Sequence, residues 1–326
     1  MAAPARAAPR ARTDGGGRGA RGARPLVGGA RGGRHRRGRG GRGVTDEGRQ
    51  PGGSRPGLAA SWRDHGDVPA SVPPVPGADA PAFYVPIGDF QGADYRRNAF
   101  AAGTAEEVAA LTAIAGLRAG SRVLDVGCGD ARHLRALARE PGVVGLGVDV
   151  APGLVDAARA AAAADGVGDH LEVRVGDARA LTSALGEEVG TFDVAWSLCQ
   201  GGFGTSPATD PAVLSGLAAA VRPGGRVLVT GFHALFAARH LAPGDAFDPV
   251  HLVHHQVSEV RGRDHARRRF DLWTASYTVR DLVAALHDVG LVVTGVRGVE
   301  PGAYGRRADG EVALDDPELL VVARRP

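Results

Sequence analysis

Four short apolar runs, RVLDVG (122–127), VVGLGVDV (143–150), LEVRVG (171–176) and FDVAWSL (192–198), alternate with stretches whose apolar residues recur every three or four positions. That switching of period, from buried strand to amphipathic helix and back, constrains the fold more than anything else in the chain. Val108, Leu111, Ile114 and Leu117 form one helical face over 104–117, and Thr104 with Glu107 three residues on predicts a capping box at its start. The spacing predicts further helices over 131–139, with Leu134, Leu137 and Ala138 inward, and over 152–165, opened by Pro152 and closed by Gly166. A short helix from about 179 and one over 211–222, begun by Pro211 and capped by Asp210, precede the strand RVLVTGF (226–232). Strands separated by helices require right-handed crossovers, hence a mostly parallel, doubly wound α/β sheet covered on both faces.

After Phe232 the rhythm breaks. Residues 233–277 read as an insertion holding a strand pair, about 251–261 and 268–277, joined around RGRDH. A helix over 279–289 and the strands LVVTGVRG (291–298) and ELLVVARR (318–325) complete a domain expected to run from 83 to 326.

Ahead of it the composition differs. Residues 1–66 hold 15 Arg against 4 acids, whereas 67–326 hold 24 Arg against 32, so the basic balance belongs to a tail. Segments such as GGGRGARGARPLVGGARGGRHRRGRGGRG (15–43) carry too little apolar surface to offset the entropy of ordering a Gly-rich backbone. We expect 1–82 to be a disordered Arg/Gly-rich tail and Pro-rich linker. Arg-Gly repeats suggest an RNA-binding arm, but no aromatic residue precedes Trp62 to add stacking to the charge. Met1 is the sole Met, and Val44, where the Arg-Gly run ends, is a candidate alternative start. Two Cys are too few for a disulfide framework, and no run of 18 apolar residues exists, so a soluble, cytoplasmic protein without membrane partners is expected.

The first strand ends in Gly127-Cys128-Gly129, at the sheet edge where doubly wound folds bind ligands. Glycines let backbone approach a ligand closely, and the next helix points free N–H groups at it. A dinucleotide site wants G-x-G-x-x-G/A, but Arg132 occupies the third position. Asp125, two residues before the first glycine, would repel a pyrophosphate and welcome an ammonium group. A ligand with adenine, ribose and an ammonium satisfies both features.

VLDVGCGDARH, GLGVDVAPGLVDAAR, VRVGDARAL, FDVAWSLCQGGFG and VRPGGRVLVTGF, taken in order, resemble the motif set of class I S-adenosylmethionine-dependent methyltransferases over roughly 95–326. The sequence departs from that set at Asp130-Ala131, where the family more often has a small residue and Gly. The resemblance implies a Rossmann-like, seven-stranded sheet with an antiparallel last strand, and S-adenosylmethionine as cofactor. It implies that Gly127, Cys128 and Gly129 line the methionine part, with Asp125 near the amino group. Asp149, with Val150 beside it, would take the ribose hydroxyls, and Asp177 with Ala178 the adenine. Leu198 and Cys199 would form the cleft wall, and Tyr95 and Arg97 resemble the segment that closes over the cofactor.

Plainer roles stand beside these. Asp149 could be an ordinary strand-end acid, Asp125 could orient the loop by accepting backbone N–H groups, Gly-Asp at 176–177 is also turn chemistry, and the two Cys suit tight places. HLVHH (251–255) lacks carboxylate or Cys partners for a metal, and His254 should face away from His251 and His255. The Trp273 and Tyr277 pair is expected to pack the insertion onto the core. His233, just beyond the fifth strand, is the general-base candidate, since imidazole titrates near neutrality. A neutral amine acceptor would need no base. A small-molecule acceptor is expected, in a pocket made by 83–103, 200–207 and the insertion. RNA or protein methylation guided by the tail, and cofactor binding without transfer, are the alternatives.

Overall fold

Strands β1 (Arg122–Val126), β2 (Val144–Asp149), β3 (Leu171–Val175), β4 (Phe192–Ser197) and β5 (Val221–His233) run parallel in the order β3-β2-β1-β4-β5. This computed structural model describes residues 83–98, 103–139, 142–262 and 266–326. The tail and linker expected over 1–82, and the centre of the RGRDH turn, lie outside the described residues. Successive strand residues face opposite ways, which divides the core in two. Val123, Val173, Val194 and Trp196 pack against Leu111 of α2 (Thr104–Ala115), Leu134 and Leu137 of α3 (Arg132–Leu137) and Val155 of α4 (Pro152–Ala164). Leu124, Leu146, Val148 and Val227 pack on the other face against Leu181 and Leu185 of α5 (Leu181–Leu185), Leu214 of α6 (Asp210–Ala220) and Leu282 of α8 (Val279–Asp288). The doubly wound α/β architecture read from the sequence is the one observed.

Among the described residues the sheet has ten strands, not seven. Beyond β5, β10 (Glu318–Arg324) runs antiparallel between β5 and β9 (Val292–Val299), so the last strand is antiparallel as expected. The additional three come from the 233–277 segment: β6 (Ala246–Asp248), β7 (Val253–Arg261) and β8 (Arg267–Tyr277), which follow the short helix α7 (Ala234–Arg239). β8 joins the sheet through Phe232 and His233, which pair with Ser276 and Tyr277. The insertion thus grows out of the carboxyl end of β5 as a strand layer.

Two helix starts differ from expectation. α2 is capped by Gly103 at φ 81°, with no side-chain cap, because Glu107 is fully buried elsewhere. Asp210 is the first residue of α6 rather than its cap, and its carboxylate accepts from the Gly204 backbone N–H at 3.1 Å and the Tyr277 hydroxyl at 2.5 Å. A true capping box forms at Thr278 and Asp281, opening α8.

No periodicity announced the first element, α1 (Tyr84–Gln91), which continues as a 3₁₀ helix over Gly92–Arg97. It lies across the top of α4: the Gly153 N–H, at the start of that helix, donates to Asp89 at 2.9 Å. Phe83 meets Trp273 edge-on with ring centroids 5.3 Å apart, and Phe90 meets Phe270 at 5.7 Å. α1 therefore bridges the parallel sheet and the insertion, above the carboxyl ends of the strands.

Candidate functional site

Below that bridge lies a cavity of about 610 Å³, which the carboxyl ends of four parallel strands open into. Gly127 follows β1, Asp149 and Val150 end β2, Asp177 and Ala178 follow β3, and Cys199 and Gln200 follow β4. The glycine loop owes its shape to backbone contact. Gly127 has φ 75°, and a Cβ there would stand 1.5 Å from the carbonyl oxygen of Gly201 in the post-β4 loop. At Gly129 (φ 56°) a Cβ would meet the Tyr95 ring at 2.9 Å, so Tyr95 packs directly over the loop. Ala131 also sits at φ 56°, the left-handed region where the resembling family more often places Gly. Arg132 does not prop α3 away from the sheet, because its side chain turns back to Glu107.

Asp149 is one of the acids lining this cavity, and it is bonded to the glycine loop. Its Oδ2 accepts the Gly129 N–H at 2.8 Å and its Oδ1 the Ala151 N–H at 2.9 Å, which ties the glycine loop to the start of α4. Burial pushes its carboxyl up to about 6 in spite of those N–H donors. Each carboxylate oxygen has a further lone pair for a ligand hydroxyl. Asp177 is held by Arg179, whose guanidinium lies 2.6 Å away and keeps its carboxyl below the usual range. Asp125 does not line the cavity. It is 2% exposed, and burial raises its carboxyl, with His133 Nδ1 4.0 Å away. Cys128, Gly129 and Leu198 likewise lie behind the lining, Cys128 and Leu198 being buried core residues.

Tyr95 and Arg97 line the roof, together with Tyr84, Ile87 and Gln91 of α1. Cys199 and Gln200 take φ values of 52° and 60°, rare for residues with side chains and common where a site over-determines its backbone. Gln200 Nε2 donates to Thr274 Oγ1 at 2.8 Å and to the Trp273 carbonyl at 3.1 Å, fastening the post-β4 loop to β8. The Cys199 N–H donates to Thr230 Oγ1 at 2.7 Å, and its thiol meets the Tyr304 hydroxyl at 2.8 Å. Behind Cys199, Glu107 is paired with Arg132, lies 2.8 Å from His133 Nε2 and accepts the Gly302 N–H at 2.7 Å.

The far wall is made by Ser258 to Arg261 on β7, within the insertion expected to line the acceptor pocket, and by Phe232, Pro317 and Glu318 at the β5–β10 edge, which sequence reasoning missed. The only sequence signal of these three was a place in or beside a strand. His233, in contrast, does not line this cavity. Its ring is buried, Nδ1 lies 3.1 Å from the Asp316 carbonyl, and it borders a separate hollow with Thr278 to Asp281. The three histidines of HLVHH each find a different aspartate: His251 pairs with Asp248, His254 with Asp245 and His255 with Asp271. Among the described residues no group of three metal-capable side chains converges. Trp273 packs on Phe83, and Tyr277 stacks on Phe203 at 5.0 Å, so this pair does join the insertion to the core.

Residues 123–225 match the family described as a methyltransferase domain. The chain is similar in structure to the CcbJ methyltransferase from Streptomyces caelestis: TM-score 0.60, 19% identity, 73% of this chain and 98% of that one. It is similar also to an S-adenosylmethionine-dependent methyltransferase from Clostridium acetobutylicum, with TM-score 0.51 and 12% identity over 68% of this chain and 91% of that one. At these identities the structural likeness speaks for the fold. No curated protein sequence matches. No helix among the described residues is long and apolar enough to cross a membrane.

Proposed function

We propose that this chain is a class I S-adenosylmethionine-dependent methyltransferase, a reading supported by its methyltransferase domain at 123–225, and that it methylates a small molecule that enters the cavity between α1 and the β7–β8 layer. The residues present suit the cofactor. Asp149 offers two oxygens at a strand end to the paired ribose hydroxyls, and Asp177 with Ala178 borders the place for adenine. Tyr95 and Arg97 would close from above, and Gly127 with Cys199 would border the methionine end. Asp125, Cys128, Gly129 and Leu198 would act from behind, holding the loop rather than touching the ligand. The bound sulfonium supplies an electrophilic methyl group, so the chain's task is alignment and exclusion of water.

The observation that carries a small acceptor is the roof. α1 and its 3₁₀ extension cover the strand ends, and Ser258 to Arg261 line the side, an arrangement that favours a small molecule over a nucleic-acid strand or a folded protein. Removing residues 1–66 tests this. Turnover of a small acceptor should stay within about twofold of the full chain, whereas a steep, salt-dependent loss would favour a nucleic acid guided by the Arg-rich segment.

Asp149 gives a sharper test of the cofactor half. Asp149→Ala should weaken S-adenosylhomocysteine binding about 100-fold, roughly 2.7 kcal/mol, as read by calorimetry. Asp149→Asn keeps one acceptor for the loop N–H groups but loses the second oxygen. Wild-type affinity in the Asn variant would remove Asp149 from the binding role.

A further inference from the structure

We propose that Glu318 is a catalytic base of the transfer: its carboxylate takes the proton from the acceptor's attacking nitrogen or oxygen. The assignment rests on the methyltransferase reading above. It starts from topology. β10 is antiparallel to β5, so its first residue, Glu318, lies beside Phe232 at the carboxyl end of β5 and beside Val299 of β9. An acid at the beginning of a strand is thereby delivered to the ligand-binding edge, on the same cavity wall as Phe232 and Pro317 and across from Gly127 and Asp149.

Its surroundings single it out among the acids of the cavity. Glu318 is 3% exposed, and Oε2 is buried without a hydrogen-bond partner among the described residues. Buried polar atoms are nearly always satisfied, and an exception on a residue that lines a cavity is where a ligand's donor belongs. Asp149 and Asp177, by comparison, already hold backbone or guanidinium donors. The groups facing Glu318 come from four places: the Thr230 hydroxyl on β5, the Cys199 thiol after β4, the Tyr304 hydroxyl after β9, and the Glu107–Arg132 pair of α2 and α3. Arg132 is paired with Glu107, and no ion pair to Glu318 forms among the described residues. Burial pushes its carboxyl up to about 7, with Glu107 adding to the rise and Thr230 and Arg132 opposing it. A carboxylate poised there accepts a proton near neutral pH.

The step balances without any further reactant. The acceptor's lone pair forms the bond to the methyl carbon as the carbon–sulfur bond breaks with its electrons passing to sulfur, and the acceptor's proton moves to Glu318 Oε2. The products are the methylated acceptor, the thioether and a protonated Glu318.

A test needs no knowledge of the acceptor. Sinefungin carries an amine where the cofactor carries its transferable methyl, while S-adenosylhomocysteine carries neither. Asp149 and the glycine loop meet both ligands alike and cancel in the ratio of their affinities. The full chain should bind sinefungin roughly tenfold more tightly than S-adenosylhomocysteine at pH 8, and that advantage should shrink as the pH falls below 7 and Glu318 takes a proton. In Glu318→Gln the advantage should fall to about twofold or less, with S-adenosylhomocysteine affinity unchanged. An equal advantage in wild type and variant overturns the proposal. So does a wild-type ratio that is flat from pH 6 to 8, which decides the matter even if the variant fails to fold. Binding of neither ligand by the wild type would instead overturn the cofactor reading, and this assignment with it.

Discussion

A chain carrying Gly127→Ala should lose more than about 3 kcal/mol of stability, or fail to fold cooperatively, when its urea unfolding is followed by circular dichroism. Two costs coincide there. At φ 75° a side chain is strained in itself, and its Cβ would stand 1.5 Å from the carbonyl oxygen and 1.7 Å from the carbonyl carbon of Gly201. That neighbour is backbone and cannot swing aside as a side chain would. Gly201 has the reciprocal constraint, a Cβ at 2.2 Å from the Gly127 oxygen, so the loops after β1 and β4 are mutually fitted. Parting them would also strain the 2.7 Å bond from the Gly127 N–H to the Val148 carbonyl. Gly120→Ala is the control: φ is 80° there, and nothing lies within 4 Å of the added Cβ. It should cost only the conformational part, about 1–2 kcal/mol. Equal losses in the two variants would mean that the loop contact is not tight.

The second large effect is expected at Glu107. Its side chain is fully buried and satisfies Arg132, His133 and the Gly302 N–H together, joining α2, α3 and the loop after β9. Glu107→Ala strands a guanidinium that is only 9% exposed, at a cost of about 3–5 kcal/mol. The surface pair Arg159–Asp156, both halves of which are mostly exposed, gives the contrast: Asp156→Ala should change stability by less than about 0.5 kcal/mol. Were Glu107→Ala to cost as little, the buried network would not be what holds these elements behind Cys199.

Glu107 also shows where reading the sequence stops. Three residues after Thr104 is capping-box spacing, and the helix does begin at Thr104, but a buried arginine 25 positions later claims the carboxylate. Local spacing carries no information about such a partner. Asp149 was legible because strand-end acids sit about one crossover beyond the glycine loop, and the observed bond from the Gly129 N–H spans 20 residues. Glu318 was not, since in ELLVVARR it reads as the first residue of a terminal strand. Only the antiparallel placement of β10 brings it to the cavity. α1 was missed for a related reason: YVPIGDFQ has a Pro and a Gly and little amphipathic pattern, and its position comes from Asp89 and the aromatic contacts of Phe83 and Phe90. The extra strands were half visible as a pair, but their fusion to β5 through Phe232 and His233 was not. Phe232 faces the cavity, so the next residue of the strand, His233, points the other way, toward Asp316.

The cavity at the ends of β1 to β4 is expected to bind a methionine-linked adenosine. Calorimetric titration of the full chain with S-adenosylhomocysteine, and in parallel with a nicotinamide dinucleotide, tests it most directly. We expect saturable binding of the first at one site per chain and no heat from the second. Silence toward S-adenosylhomocysteine up to millimolar concentration, with uptake of the dinucleotide, would contradict it.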